Sequence, residues 1–169
     1  MTAVGQVKRA VAAAIKAAGC AAIESYSEEQ LKRYATAVAA VGTKETVIEE
    51  SGAAQYLGEK VDEATQETVS VYGRKMLLTL LIEVYAPRTL GAAGCEKAAE
   101  VVTQALMTAL PGGLKLKTIQ WGKAGWDKTA GMFRLEANAK YAAYFVAEAA
   151  EDETVFTDFV LKGTVKECE

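Results

Sequence analysis

The side chains able to do chemistry in this 169-residue sequence are defined first by a gap. There is no histidine, which removes Ser–His and Cys–His nucleophile pairs and imidazole metal ligands in one step. No G-x-x-x-x-G-K-[ST] phosphate loop occurs, and no G-x-G-x-x-G follows a strand pattern. Carboxylates remain, clustered at Glu28-Glu29, Glu49-Glu50, Asp62-Glu63 and Glu151-Asp152-Glu153. Holding a divalent cation would require ligands converging from several elements. Each cluster instead falls in an expected loop or strand end, where charge is simply solvated. Cys20, Cys95 and Cys168 are odd in number, far apart and without CxxC spacing. They suit free thiols in a reducing compartment better than a disulfide frame or a zinc site. No catalytic residue, cofactor site or metal site is expected, and the chain reads as a non-enzyme.

Two features point to contact surfaces instead. Trp121 and Trp126 stand close together in and beside a glycine-containing loop. They close the end of a core or anchor a partner, since aromatic residues are enriched at interfaces. Along Thr68 to Tyr85, residues Met76, Leu78, Leu80, Ile82 and Val84 share one face. The opposite face mixes Lys75, Thr79 and Glu83 with Leu77, Leu81 and Tyr85. A half-solvated strand would be polar throughout that face. Leu77, Leu81 and Tyr85 therefore need cover from a helix, a second sheet or a partner subunit.

The elements that must position these residues are legible from periodicity. Val4 to Ala18 is an amphipathic helix, with Val4, Val7, Val11, Ile15 and Ala18 on one face and Gly19 at its C-cap. Cys20 to Ile23 is a short apolar piece. Ser27, with Gln30 three residues later, fits a capping box opening one turn of helix through Lys32. Tyr34 to Val41 and Thr43 to Glu50 read as two strands, and Ser51 to Gln66 as a long loop. The long strand ends at Pro87. A second helix, Ala92 to Ala109, buries Cys95, Ala98, Ala99, Val102, Ala105, Leu106 and Ala109, and is stopped by Pro111-Gly112-Gly113. Leu114 to Trp121 is a short strand and Gly122 to Thr129 a loop. From Gly131 to Ala147 the residues Phe133, Leu135, Ala137, Ala139 and Tyr141 alternate with Arg134, Glu136, Asn138 and Lys140. Thr154 to Val165 would complete a hairpin with that strand. This order predicts a single α+β domain over residues 1–169, a mainly antiparallel sheet of long strands with two helices packed on it.

Composition narrows the setting. The chain is 51% hydrophobic and 24% charged, with a net charge of −3. That is ordinary globular usage, with no general pull toward nucleic acid or anionic membrane. No window approaches eighteen uncharged apolar residues, so no spanning helix is expected. The alanine-rich start, broken by Lys16, reads as a mature amino terminus rather than a secretory signal.

With the elements in this order, the chain resembles phage tail-assembly proteins of the tail-terminator (tail-completion) class. The resembling stretches are the amino-terminal helix, RYATAVAAVG (Arg33 to Gly42), VSVYGRKMLLTLLIEVYAPR (Val69 to Arg88) and the helix GCEKAAEVVTQAL (Gly94 to Leu106). After them come WDKTAGMFRLEANAKYAAYF (Trp126 to Phe145) and FTDFVLKGTVK (Phe156 to Lys166). The closing aromatic-Thr-Asp-Phe and Leu-Lys-Gly are similar to small tail-operon proteins of Firmicute phages and prophages. The resemblance implies a homo-oligomeric ring, a hexamer, that caps the growing tail tube at its head-proximal end. It implies contacts with the tail tube protein and head–tail connector proteins. Assembly would take place in the bacterial host cytoplasm, with the protein then in the virion tail. Ring geometry nominates Tyr85 to Leu90 (with Arg88), Gly58 to Gln66 and the Trp121 to Trp126 loop as contacts. The Ser27 to Arg33 turn and the Ser51 to Gln66 loop make the amino-terminal half longer than in compact members.

Other readings are another neck or baseplate piece of a phage-derived contractile device, a small-molecule-binding α+β domain, and a monomeric adaptor. Size-exclusion chromatography with light scattering separates a ring from a monomeric pocket protein.

Overall fold

The computed structural model describes residues 3–51, 55–61, 64–110 and 114–147. It has an α+β fold of three helices and a mixed seven-stranded sheet. In chain order the elements are α1 (Ala3–Ala17), β1 (Ala21–Ile23), α2 (Glu28–Leu31), β2 (Val38–Glu49), β3 (Tyr56–Val61) and β4 (Thr68–Ala86). They continue with α3 (Gly91–Thr108), β5 (Lys115–Trp121), β6 (Gly125–Asp127) and β7 (Met132–Ala147). The sheet runs β1-β2-β4-β7-β5, with β3 on β4 and β6 on β7. β1 and β2 are parallel, while the β3–β4, β5–β7 and β6–β7 pairs are antiparallel. The described residues form two compact units, one within 3–46 and 77–142, the other within 47–76 and 143–147.

The larger unit holds the main core. α1 turns Val11, Ala12 and Ile15 inward, and Gly19, at φ +90°, takes the left-handed step after the helix that only glycine adopts cheaply. Ala18, expected on the buried face, is exposed beyond the helix end. α3 buries Cys95, Ala98, Ala99, Val102, Ala105 and Leu106, whereas Ala109 is its exposed C-cap. These two helical stripes meet Leu78, Leu80, Ile82 and Val84 of β4 and Leu135, Ala137, Ala139 and Tyr141 of β7 in one cluster. α1 and α3 also touch each other, so the two helices lie side by side over one face of the sheet. Gly94 allows α3 to start close to the end of β4. A Cβ there would stand 2.6 Å from Leu90 Cβ and 3.3 Å from Ala86 Cβ.

Three expectations need correction. The strands expected at Tyr34 to Val41 and Thr43 to Glu50 are one strand, β2, which runs through Gly42. A Cβ at Gly42 would make only ordinary contacts with Leu81, at 3.6 and 3.9 Å, so the glycine breaks nothing. The loop expected from Ser51 to Gln66 contains β3, an antiparallel hairpin partner of β4. The loop expected from Gly122 to Thr129 contains β6, which pairs Trp126 with Phe133. The Thr154 to Val165 strand, the Pro111-Gly112-Gly113 stop and Cys168 lie outside the described residues.

In the smaller unit, the end of β2, β3 and the first half of β4 present little buried surface. Val47, Ile48, Tyr56 and Val61 are exposed, with Ile48 at 49% and Val61 at 58%. Local ties hold the strands. Ser51 Oγ donates to the Gly73 carbonyl, Lys75 lies 3.5 Å from Glu49, and the Tyr56 and Tyr72 rings meet edge to face at 5.8 Å. A bulge at Gly58, with φ +138°, shifts the β3 register.

Candidate functional site

The sheet face turned away from α1 and α3 carries Leu77, Leu81 and Tyr85 of the residues nominated from sequence, and the fold divides them by how they are covered. Strand alternation puts Leu77, Thr79, Leu81, Glu83 and Tyr85 of β4 on this face, opposite the core residues. Tyr85 is 1% exposed. It belongs to a second cluster with Ile23, Leu31, Val38, Ala40, Ala130 and Met132. The Tyr26 ring lies over it at 5.7 Å. Tyr85 is therefore covered by its own chain and offers no contact surface. The cover is α2, which Ser27 starts by accepting a hydrogen bond from the Gln30 amide, and whose Leu31 seals the cluster.

Beside Tyr85 lies the charged core of this face. Glu83, 9% exposed, accepts from Arg134 Nε at 2.8 Å and Arg134 Nη2 at 2.6 Å. Tyr85 donates its hydroxyl to the same Glu83 oxygen at 3.2 Å. Burial, reinforced by the Glu83 charge, pushes the Tyr85 phenol well above its ordinary range. Arg134 also reaches Glu136 at 2.6 Å. The Arg134 guanidinium thus links a sheltered carboxylate to an exposed one.

Leu77 and Leu81 are half-buried, farther along the strand than α2 covers, and Lys44 reaches Asn138 at 2.9 Å on the same unit. Arg88 is exposed just after β4. The two tryptophans separate in role. Trp121 packs half-buried against the main core and donates its indole N–H to Thr103 Oγ1 on α3 at 2.9 Å. Trp126 is 45% exposed and meets Phe133 edge to face at 5.2 Å. It lines an open concavity of about 440 Å³ with Lys123, Gly125, Asp127, Lys128, Arg134 and Glu136. The Asp127 carboxylate in it is occupied by the Thr129 and Ala130 amides, at 2.8 and 3.1 Å. The concavity mixes both charge signs around one aromatic edge, which suits a protein contact better than an enclosed ligand.

Both thiols among the described residues are buried and structural in setting. Cys95 donates to the Phe133 carbonyl at 3.3 Å, and burial pushes its thiol up to about 11. Burial also raises Cys20. Such thiols resist forming the thiolate a nucleophile needs.

Sequence reasoning included Val61 in the nominated Gly58 to Gln66 stretch but missed Val47, Ile48 and Tyr56 as exposed apolar residues. Tyr-Leu-Gly-Glu-Lys-Val is short and interrupted by glycine, so its alternation is too weak to mark a strand. The available signal was apolar residues persisting in a stretch otherwise rich in charge.

No protein-family model matches the chain, and no curated protein matches it. Among solved structures, a chain of the virion of native gene transfer agent (GTA) particle is similar. It has a TM-score of 0.43 and 18% identity, and the alignment covers 86% of this chain and 100% of that one.

Proposed function

We propose that this chain is a non-enzymatic structural protein of a phage-type tail, acting as a tail-completion ring built from copies of itself. The observation that carries this reading is the smaller unit's sheet, made of the end of β2 and the β3–β4 hairpin. It exposes Val47, Ile48, Tyr56 and Val61, and among the described residues no helix of its own unit lies over it. Strands with apolar side chains in water are marginal alone and gain stability by packing on another surface. Leu77, Leu81 and Trp126 add half-covered apolar area of the same kind on the larger unit. The resemblance of RYATAVAAVG, VSVYGRKMLLTLLIEVYAPR and FTDFVLKGTVK to tail-terminator proteins supplies the partners: sister subunits, the tail tube protein and head–tail connector proteins. The absence of histidine from the sequence supports an assembly role over acid–base or imidazole-metal catalysis.

Light scattering after size exclusion, over a concentration series, tests the reading. A discrete oligomer, or reversible association toward one, is the expected result. A strict monomer that melts higher with a small ligand would overturn it in favour of a pocket protein.

A further inference from the structure

Among the described residues β1, β3, β5 and β6 each pair on one side only, and of these the stretches around β3 and β5 carry opposite charge. β3 pairs with β4, and β5 with β7. From Val47 to Glu67 the sequence has six carboxylates, Glu49, Glu50, Glu59, Asp62, Glu63 and Glu67, against Lys60 alone. Glu50, Glu59 and Glu67 are exposed. The next cations, Arg74 and Lys75, follow on β4, and Lys75 is already set against Glu49. From Lys115 to Lys128 the balance reverses. Lys115, Lys117, Lys123 and Lys128 are all exposed, and the one carboxylate of this stretch, Asp127, is taken up by backbone amides. Glu136 of β7, which lines the same concavity as Lys123 and Lys128, is held by Arg134. The β5–β7 register sets Lys140 directly beside Thr118, extending the basic strip.

We propose that a second copy of this chain lays its acidic β3 hairpin along the lysine-bearing edge of β5. This rests on the self-assembly reading above and names its contact. An open edge offers main-chain donors and acceptors to any extended strand, and lysines on it normally repel such strands. The same lysines turn away another basic edge while admitting an acidic one, so the charge pattern selects orientation and partner together. The contact is heterologous: each copy gives a hairpin to one neighbour and an edge to another, the arrangement from which rings are built. A polyanion such as nucleic acid fits the basic strip less well, because it leaves the acidic hairpin without a counterpart.

The test uses the full chain in sedimentation equilibrium at low and high salt. It compares the wild type, a Lys115→Glu/Lys117→Glu variant and a Glu59→Lys/Glu67→Lys variant, all checked for native circular dichroism. The expected result is wild-type association that weakens with salt, and a loss of about tenfold or more in each variant. An equimolar mixture of the two variants should recover association, since every mixed contact again joins opposite charges. If the wild type associates and the variants match it, this contact is wrong and the assembly reading stands. If the wild type stays monomeric at every concentration, both fall. If the lysine changes abolish binding of a short DNA duplex and leave self-association intact, the strip is a polyanion site and the proposal is overturned.

Discussion

Arg134 on β7 closes on Glu83 of β4 from fifty-one residues away in sequence, with Nε and Nη2 at 2.8 and 2.6 Å from the same carboxylate oxygen. The pair is asymmetric. The Glu83 side chain is 12% exposed, whereas Arg134 is 35% exposed and has Glu136 as a second partner. Removing the arginine leaves a sheltered carboxylate with only the Tyr85 hydroxyl, while removing the carboxylate leaves an arginine that still has Glu136 and water. Arg134→Leu should therefore cost about 2 kcal/mol and Glu83→Leu about 1 kcal/mol or less. Urea unfolding of both variants checks this. Equal losses would mean that the stranded charge is not what matters.

Burial of Cys95 sets a pH dependence. Its thiol is pushed up to about 11 in the folded chain, while an unfolded cysteine titrates near about 8.5. Between those values the folded state keeps a proton that the unfolded state releases. The stabilisation is thus whole below about pH 8.5 and is lost as pH rises toward 11. Tyr85 and Tyr141, also raised by burial, extend the loss at still higher pH. Urea midpoints measured from neutral to alkaline pH should fall. In a Cys168→Ser background, thiol reagent should react slowly until urea unfolds the chain. Prompt reaction of Cys95 in native conditions would contradict the burial account.

What the sequence displayed and what it hid follow from the range of the interactions. α1, α3, β4 and β7 were legible because each repeats its apolar residues over at least four turns or five alternations, a local signal. β3 was not, because six residues around Gly58 become a strand only by pairing with Thr68 to Tyr72 across a turn. The second face of β4 shows its apolar residues in the sequence. Its pattern could not tell Tyr85, sealed by Leu31 and Tyr26, from Leu81, which is left half-covered. That distinction depends on where α2 folds back, and a capping box fixes only where α2 begins. Trp121 and Trp126 were likewise indistinguishable until Thr103 on α3 claimed one indole.

The contrast between Leu78 and Leu81 tests the face argument within one strand. Leu78 is 1% exposed among α1 and α3 residues, so Leu78→Asp buries an unpaired charge and should cost at least about 3 kcal/mol. Leu81 is half-buried on the other face, so Leu81→Asp should fold, losing about 1 kcal/mol, and should fail to assemble. Circular dichroism melts and light scattering on the same samples separate the two effects. Unfolding of both variants would mean that the chain itself needs Leu81 covered.

Trp121 and Trp126 should part in the same way. Trp121→Phe loses the indole hydrogen bond to Thr103 and should cost about 1 kcal/mol of stability. Trp126→Ala removes a 45% exposed ring and should change stability by less than that while weakening association. Thermal melts that rank the two in the opposite order would make Trp126 a core residue.

The hairpin offers the sharpest separation of folding from assembly. Ile48 and Val61 belong to neither buried cluster, at 49% and 58% exposed. Their apolar surface therefore adds little to the stability of one molecule. If sister subunits cover it, each side chain contributes on the order of 1.5 kcal/mol to association. Replacing both by lysine should then leave urea unfolding within about 0.5 kcal/mol of wild type and weaken assembly by roughly a hundredfold. The added lysines also lower the acidity of the hairpin, but that part is screened by salt, so the loss from apolar contact should persist at high salt. An unfolding loss of about 2 kcal/mol or more would instead show these residues packed by their own chain, and the hairpin would cease to be an argument for a partner.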